Sequence, residues 1–288
     1  MRLFRYQEDR VPIVCFLFLF AIDITLYLNV DSVLWLTLWF FVGILPKACV
    51  CSFNHHHQHV PVFHPAWANR LLEIIYALHT GVTSQAWVLH HSLGHHVNYL
   101  DQEKDESRWQ RKDGSTMEEF EYSLDVTVTA YPRAWQVASR YPRQRRLFVA
   151  MAIISLAAVV ALVAYRPVPG LFIFVLAPAF SLFGTAWATY CHHAGRSTES
   201  HFVACNNILQ SFYNKATGNL GYHTAHHYKP GVHWSQLPQL HDEIAHLIPA
   251  DAYIRPGWPW SLVGDGIPAE IHRQQADTQA EDVTDQAA

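Results

Sequence analysis

Four stretches of this chain stay apolar long enough to cross a bilayer, whose hydrocarbon core takes about 20 helical residues. They cover about residues 11–30, 33–53, 147–165 and 168–190. The first is interrupted only by Asp23 and Thr25, the second carries Pro46 and Lys47, and the third has no charge. Asn29-Val30-Asp31-Ser32 reads as a tight turn between the first two, and Arg166-Pro167-Val168-Pro169-Gly170 as another between the last two. The pattern predicts an all-α integral membrane fold, four transmembrane helices in two hairpins, because a spanning segment must satisfy its backbone internally. The segments 54–146 and 191–263 are left to form a cytosolic helical cap.

The polar stretches carry their own patterns. Residues 67–90 are apolar at helical spacing but include Glu73, His79 and Gln85, which predicts a helix lying in the interface rather than a fifth span. Residues 101–121 are densely charged and read as a solvated loop. Residues 264–288 are polar and acidic with no apolar period, which predicts a disordered tail after a single domain covering 1–263. Positive charge sets the orientation. Arg2, Arg5 and Arg10 precede the first run, and Arg133, Arg140, Arg143, Arg145 and Arg146 crowd the entrance to the third, while the short turns hold almost no Lys or Arg. Both termini and the long middle segment are therefore expected to be cytoplasmic. The first run is too long for a cleavable signal, lacks a small-residue cleavage site and is followed at once by another run.

Composition agrees with a polytopic membrane protein. Half of the 288 residues are apolar, 10 are Trp, 16 are Phe, and only 15% are charged. The net charge of -4 gives no reason to expect a nucleic acid partner. Cys15, Cys49, Cys51, Cys191 and Cys205 have no metal-type spacing and lie mostly in or next to apolar runs, so they read as buried free thiols.

The twenty histidines change the picture, because most of them fall in three clusters on the expected cytoplasmic side. These are His55-His56-His57-Gln58-His59, His90-His91-Ser92-Leu93-Gly94-His95-His96 and His223-Thr224-Ala225-His226-His227. On an α-helix, positions four apart lie about 40° apart on one face. His55 then points with His59, and His91 with His95, with His96 on the flank. His223, His226 and His227 share an arc of about 100°. His57 points nearly the opposite way from His55 and His59. Imidazole binds iron, copper or zinc without bringing charge. One ion rarely takes more than four to six protein ligands, so eight convergent imidazoles imply two metals. No His-Glu-x-x-His pattern is present, which disfavours zinc hydrolysis. His64, His79, His246 and His272 read as surface or hydrogen-bonded residues. Neutral ligands call for carboxylates behind them to orient their N–H groups, and Glu73, Asp101, Glu199 and Asp242 are the candidates.

The pattern His55-x-x-x-His59, His91-x-x-x-His95-His96 and His223-x-x-His226-His227 resembles the membrane fatty acid desaturase and hydroxylase superfamily over most of the chain. Members carry a non-haem di-iron centre held mainly by histidines and use O2 and two external electrons to break an unactivated C–H bond. The segment Thr189-Tyr190-Cys191-His192-His193-Ala194-Gly195 looks like the Asn-Tyr-x-Glu-His-Tyr-Gly segment of related alkane monooxygenases. This implies a further ligand at His193, with His192 as the alternative, and Thr189 stands where that family has Asn. Asn219-Leu220-Gly221-Tyr222-His223 looks like the lead-in to the third box of acyl desaturases, and residues 227–238 resemble the Pro-bearing segment on the C-terminal side of that box. His233, in that segment, supports a ligand or lies at the surface.

The resemblance implies two irons, O2 as co-substrate, and a fatty acyl or other lipid substrate arriving from the membrane. It also implies a separate electron donor of ferredoxin, rubredoxin or cytochrome b5 type, since no fused redox pattern is present. Trp35, Trp39, Trp87 and Trp187 either line the chain's route or simply pack. Lys215, Lys229 and Arg196 either hold a head group or reflect the charge bias. Desaturation is the leading expectation. Hydroxylation, oxidative decarboxylation to a terminal alkene, and carotenoid or alkane oxidation stay open. Outside enzymes, a metal transporter or haem protein is the alternative, but transport sites sit near the membrane centre and these histidines lie outside the runs.

Overall fold

The structure is a computed structural model and describes residues 2–286. It is all-helical, as the apolar pattern predicts: among the described residues there is no β-strand, only isolated bridges such as Phe4 with Phe63. Four helical stretches are long and apolar enough to cross a membrane: Gln7–Asn29, Val33–His59, Pro142–Tyr165 and Pro167–His193. The chain divides into two compact units, with the break between Tyr190 and Cys191, where the sequence pattern predicts one domain.

In the first unit, helix α1 (Arg10–Asn29) has 20 residues, about 30 Å of rise and the thickness of a hydrocarbon core. Helix α2 (Val33–His59) has 27, or about 40 Å. Its surplus of two turns carries His55–His59 past the apolar part of the helix. Helix α3 (Ala66–Thr80) buries Leu72 and Tyr76 and leaves Trp67 and Leu71 exposed. The polar interruptions of the apolar runs find one another. Lys47 Nζ lies 2.5 Å from Asp23 Oδ2, Trp39 Nε1 donates to Asp23 Oδ1 at 2.8 Å, and His79 Nδ1 is 3.3 Å from Lys47 Nζ. Asp23 and Lys47 are both buried. Pairing offsets the cost of a charge in hydrocarbon, and removing one partner alone typically costs about 3–5 kcal/mol. His79, read from sequence as surface or hydrogen-bonded, is the buried, hydrogen-bonded case.

The stretch expected to be one interfacial helix is two. Gly81 ends α3 in the left-handed region at φ 70°, where a Cβ would come within 2.8 Å of the Pro178 carbonyl oxygen. Thr83 then caps helix α4 (Ser84–Trp87), its hydroxyl accepting from Ala86 N at 3.2 Å. The chain continues as a π-helical segment, Val88–His95, and closes with α5 (His96–Asn98). The charged loop after α5 is not wholly solvated: Asp105, Ser107 and Trp109 are buried. Helix α6 (Glu119–Ala138) opens on a capping box between Glu118 and Glu121. After it come α7 (Pro142–Tyr165), α8 (Pro167–Leu171), a second π-helical segment (Phe172–Leu176) and α9 (Ala177–His193). Cys51, Ala86, Leu89, Val137 and Phe148 are among the residues that form a core here. Arg166 hydrogen-bonds the Tyr27 carbonyl and pairs with Asp31, so the two short interhelical connections lie together. Phe18, Leu34, Phe41 and Leu156 are each more than 60% exposed, an apolar surface suited to lipid rather than water.

The second unit contains α10 (Ser211–Thr217), α11 (His223–Tyr228), α12 (Leu237–Ile244) and α13 (Ala269–Gln286). Ala225, Leu237, Leu240, Ile244, Ile248 and Tyr253 are part of its core. Most of the tail predicted to be disordered is helical, from Ala269 to Gln286. Gln275 Nε2 donates to the Ala250 and Tyr253 carbonyls at 2.8 and 3.0 Å, contacts that a search for apolar periodicity does not register. Residues 287–288 of that tail lie outside the described residues.

Candidate metal centre

In the first unit, His55 and His59 stand at the end of α2, His91 in the first π-helical segment and His96 at the start of α5. One ligand nitrogen from each lies within 4.8 Å of those of the others. His91 Nε2 is 3.0 Å from His55 Nε2 and 2.9 Å from His96 Nε2. A metal–imidazole bond of about 2.1 Å places ligands at right angles about 3.0 Å apart. The donor set fits a divalent transition metal on that test: soft-to-borderline neutral nitrogens, with no carboxylate among them.

The π-helical turn decides which histidines meet. Its hydrogen bonds run i→i+5, so residues five apart stack much as residues four apart do on an α-helix. His91 Nε2 therefore meets His96 Nε2, while the rings of His91 and His95, expected to share a face, lie 5.2 Å apart. His95 is fully buried, its Nδ1 2.8 Å from Asp105 Oδ1. The same carboxylate oxygen accepts from Ser107 N at 2.8 Å. Asp105 is the residue that the sequence reading missed. Its place in a run of charges concealed it, and only the general need for a carboxylate behind neutral ligands pointed its way. Asp101, named instead, stays at the surface paired with Lys104. His57 points away from the group, as the helical angles predict, with its Nε2 3.4 Å from Glu73 Oε1. Glu73 also takes Arg70 at 2.6 Å and Gln85 Nε2 at 3.0 Å.

In the second unit, His193, Cys205, His223 and His227 likewise bring ligand atoms within 4.8 Å of one another, all four buried. His193 Nε2 lies 2.9 Å from His223 Nε2. The His227 ring centre is 4.7 Å from each of those two rings. His226 is buried beside them on α11, its ring 5.4 Å from His227. Cys205 Sγ sits 3.9 Å from His193 Nδ1, the nitrogen opposite the one that meets His223. Burial pushes its thiol well above the usual range, and only a bound cation would hold it as a thiolate.

His192 occupies both nitrogens elsewhere: Nδ1 is 3.0 Å from the Asn206 carbonyl and Nε2 3.0 Å from the Tyr213 hydroxyl. Its ring stacks on His223 at 4.1 Å. Two asparagines that the sequence reading did not single out position the third cluster. Asn207 Nδ2 donates to Thr224 Oγ1 at 2.8 Å while its Oδ1 accepts from Thr224 N at 3.0 Å. Asn214 Oδ1 accepts from Gly221 N at 3.0 Å. Asn219 adopts φ 61° and donates to the Trp234 carbonyl at 3.2 Å, and His233 Nδ1 lies 2.8 Å from Ser235 Oγ. Glu199 and Asp242 are exposed. Arg196, a head-group candidate, is engaged by Asn206 and Asp251, each at 2.8 Å.

No curated protein and no solved structure matches this chain. A family model described as fatty acid desaturase does, over residues 33–258. That match runs from the first residue of α2 through all three histidine clusters, and the four long apolar helices agree with it. The chain belongs to the fatty acid desaturase family and is an integral membrane protein.

Proposed function

We propose that this protein is an O2-dependent, non-haem di-iron enzyme that desaturates a fatty acyl or related lipid chain. The observation that carries the reading is the convergence of neutral Nε2 atoms at 2.9–3.0 Å in both units. His55, His59, His91 and His96 would hold one iron, and His193, His223 and His227 the other. His95 and His226 complete the ligand set, with Asp105 fixing the His95 ring through its Nδ1–H. Iron, when bound, supplies the activation of O2 and the abstraction of hydrogen from an unactivated carbon.

The protein's own residues do the rest. Imidazole ligands bring no charge of their own, so bound metals would stay strongly cationic, and Asp105, on the ring of His95, supplies a compensating charge. The apolar helices deliver a lipid chain, and the position of that chain against the metal group decides which carbon is oxidised. Electrons come from a separate donor of ferredoxin, rubredoxin or cytochrome b5 type. The arginines before the first and third spans favour an active site and termini on the cytoplasmic side.

The test is iron content together with lipid mass spectrometry. Purified protein should hold about two irons per chain without haem absorbance. Lipids of cells expressing it should gain an internal double bond, and a His96→Ala variant should lose both. Zinc or haem in place of iron would sink the proposal. An added oxygen or the loss of one carbon would move the reaction to hydroxylation or decarboxylation at the same site.

A further inference from the structure

Helix α6 has three faces. Successive residues turn about 100° around its axis. Tyr122, Val126, Ala130, Ala134 and Val137 fall on one side and are buried in the first unit. Glu121, Asp125, Thr129 and Gln136 fall on a second, a polar strip about 80° wide. Between the two lies a third strip, again about 80° wide, that holds Phe120, Leu124, Val128 and Trp135. These four are 63%, 47%, 63% and 47% exposed. A helix that packs on protein and otherwise meets water needs only the first two faces.

The ends of α6 fix where the third face lies. At its start, Phe120 packs on Phe183 of α9 with ring centres 5.8 Å apart, and Tyr122 packs on Tyr190 at 5.3 Å. The Tyr190 hydroxyl donates to the Met117 carbonyl at 2.7 Å. The first turns of α6 therefore sit against the last turns of α9. At its other end the chain passes through Ser139-Arg140-Tyr141 straight into α7. The two membrane-length stretches Pro142–Tyr165 and Pro167–His193 are separated by Arg166 alone. Two spans joined by so short a turn begin and end on the same side of a bilayer, so α6 runs from one span end to another at a single level. Its apolar strip continues the outward surface of α9, where Phe183 packs on the exposed Trp187. Arg140, Arg143, Arg145 and Arg146 are exposed at the far end, and the Arg145 guanidinium lies 4.5 Å over the Trp135 ring. Head-group phosphates complement such a row of arginines, and Trp is enriched at that depth.

We propose that α6 lies flat in the membrane interface, with Phe120, Leu124, Val128 and Trp135 dipped into phospholipid on the side where α9 ends, and with Glu121, Asp125, Thr129 and Gln136 turned to water. Val126 and Ala130, on the buried side of the same helix, line a cavity together with His91. One helix thickness, about 10 Å, then separates the leaflet from the first metal group. This seating depends on the spans alone and on no step of the reaction proposed above.

The test uses the full chain in phospholipid nanodiscs, with the photoreactive amino acid p-benzoylphenylalanine in place of Val128, Leu124 or Gln136. Irradiation joins the benzophenone to C–H bonds within reach, and mass spectrometry weighs the intact chain. The Val128 and Leu124 positions should each gain the mass of one phospholipid, and the Gln136 position should gain none. All three side chains are exposed, so the exchange disturbs no packing, and Leu124 repeats the reading one turn from Val128 should either chain fail to fold. A strip that captures no lipid overturns the proposal. So does a doubled mass, which would show a second copy of the chain on this face, or lipid captured as readily from Gln136 as from Val128. The readout needs neither metal nor turnover, so these outcomes judge the seating of α6 and leave the desaturase reading to its own test.

Discussion

Asp105 shows how much of a site can hinge on one side chain that carries no motif. It sits in the run Asp101-Gln102-Glu103-Lys104-Asp105-Glu106, and of these residues only Asp105 is buried. Its carboxylate takes the His95 ring N–H and a backbone N–H together. A carboxylate behind a ligating imidazole fixes the tautomer and raises the ligand's basicity, and losing it typically costs about 10–100-fold in metal affinity. Asp105→Asn keeps the shape and removes the charge, so iron should bind about 10-fold more weakly with little change in thermal unfolding of the metal-free protein. Competition against a chelator of known affinity measures this. An unchanged dissociation constant would remove His95 from the ligand set. The sequence could announce the need for such a carboxylate but not its address, because solvation of a charged loop is decided by what the loop packs against.

At the scale of elements, the spans were legible because membrane-crossing length is a count of apolar residues. The surplus of α2 was legible too: 27 residues exceed a hydrocarbon core, and the excess holds the first histidine cluster. The π-helical turn was not legible. An α-helix and a π-helix differ in backbone hydrogen bonding, and the side-chain pattern of His90 to His96 fits either. The choice matters, since it brings His91 Nε2 to 2.9 Å from His96 Nε2. Deleting Ser92 should let this turn close as an α-helix with His91 and His96 four apart, still on one face. Inserting one alanine between Leu93 and Gly94 sets them six apart, which neither helix aligns. The deletion should therefore keep about two irons per chain and the insertion about one, read by elemental analysis. Equal iron in the two variants would show that the turn does not set the ligand geometry.

Along the first two spans, polar chemistry is buried and apolar surface is turned outward, the reverse of a water-soluble protein. The Asp23–Lys47 pair lies within the spans, and Phe18, Leu34 and Phe41 face out. Helix α13 escaped prediction because it docks through Gln275 and a single apolar residue, Ile271, rather than an apolar stripe. Each unit also keeps a histidine neutral outside the proposed ligand sets. Burial pushes His90 down to about 3 in the first, and His241 down to about 4 in the second, where its Nε2 lies 3.3 Å from the Tyr253 hydroxyl. Unfolded histidine titrates near 6.5. Between that value and the folded ones, the unfolded chain binds protons that the folded chain refuses, so stability must fall as the pH falls. The contribution is whole above about pH 6.5, and for His241 it is lost progressively toward pH 4. Each ring should remove roughly 1–2 kcal/mol by pH 5. Metal-free protein in detergent should accordingly melt at lower temperature at pH 5 than at pH 7.5. His241→Gln cannot titrate and should flatten that slope by about its own share, leaving the part due to the other buried rings, His59, His90 and His192 among them. A slope identical in wild type and His241→Gln would mean that the ring is already solvated in the native state.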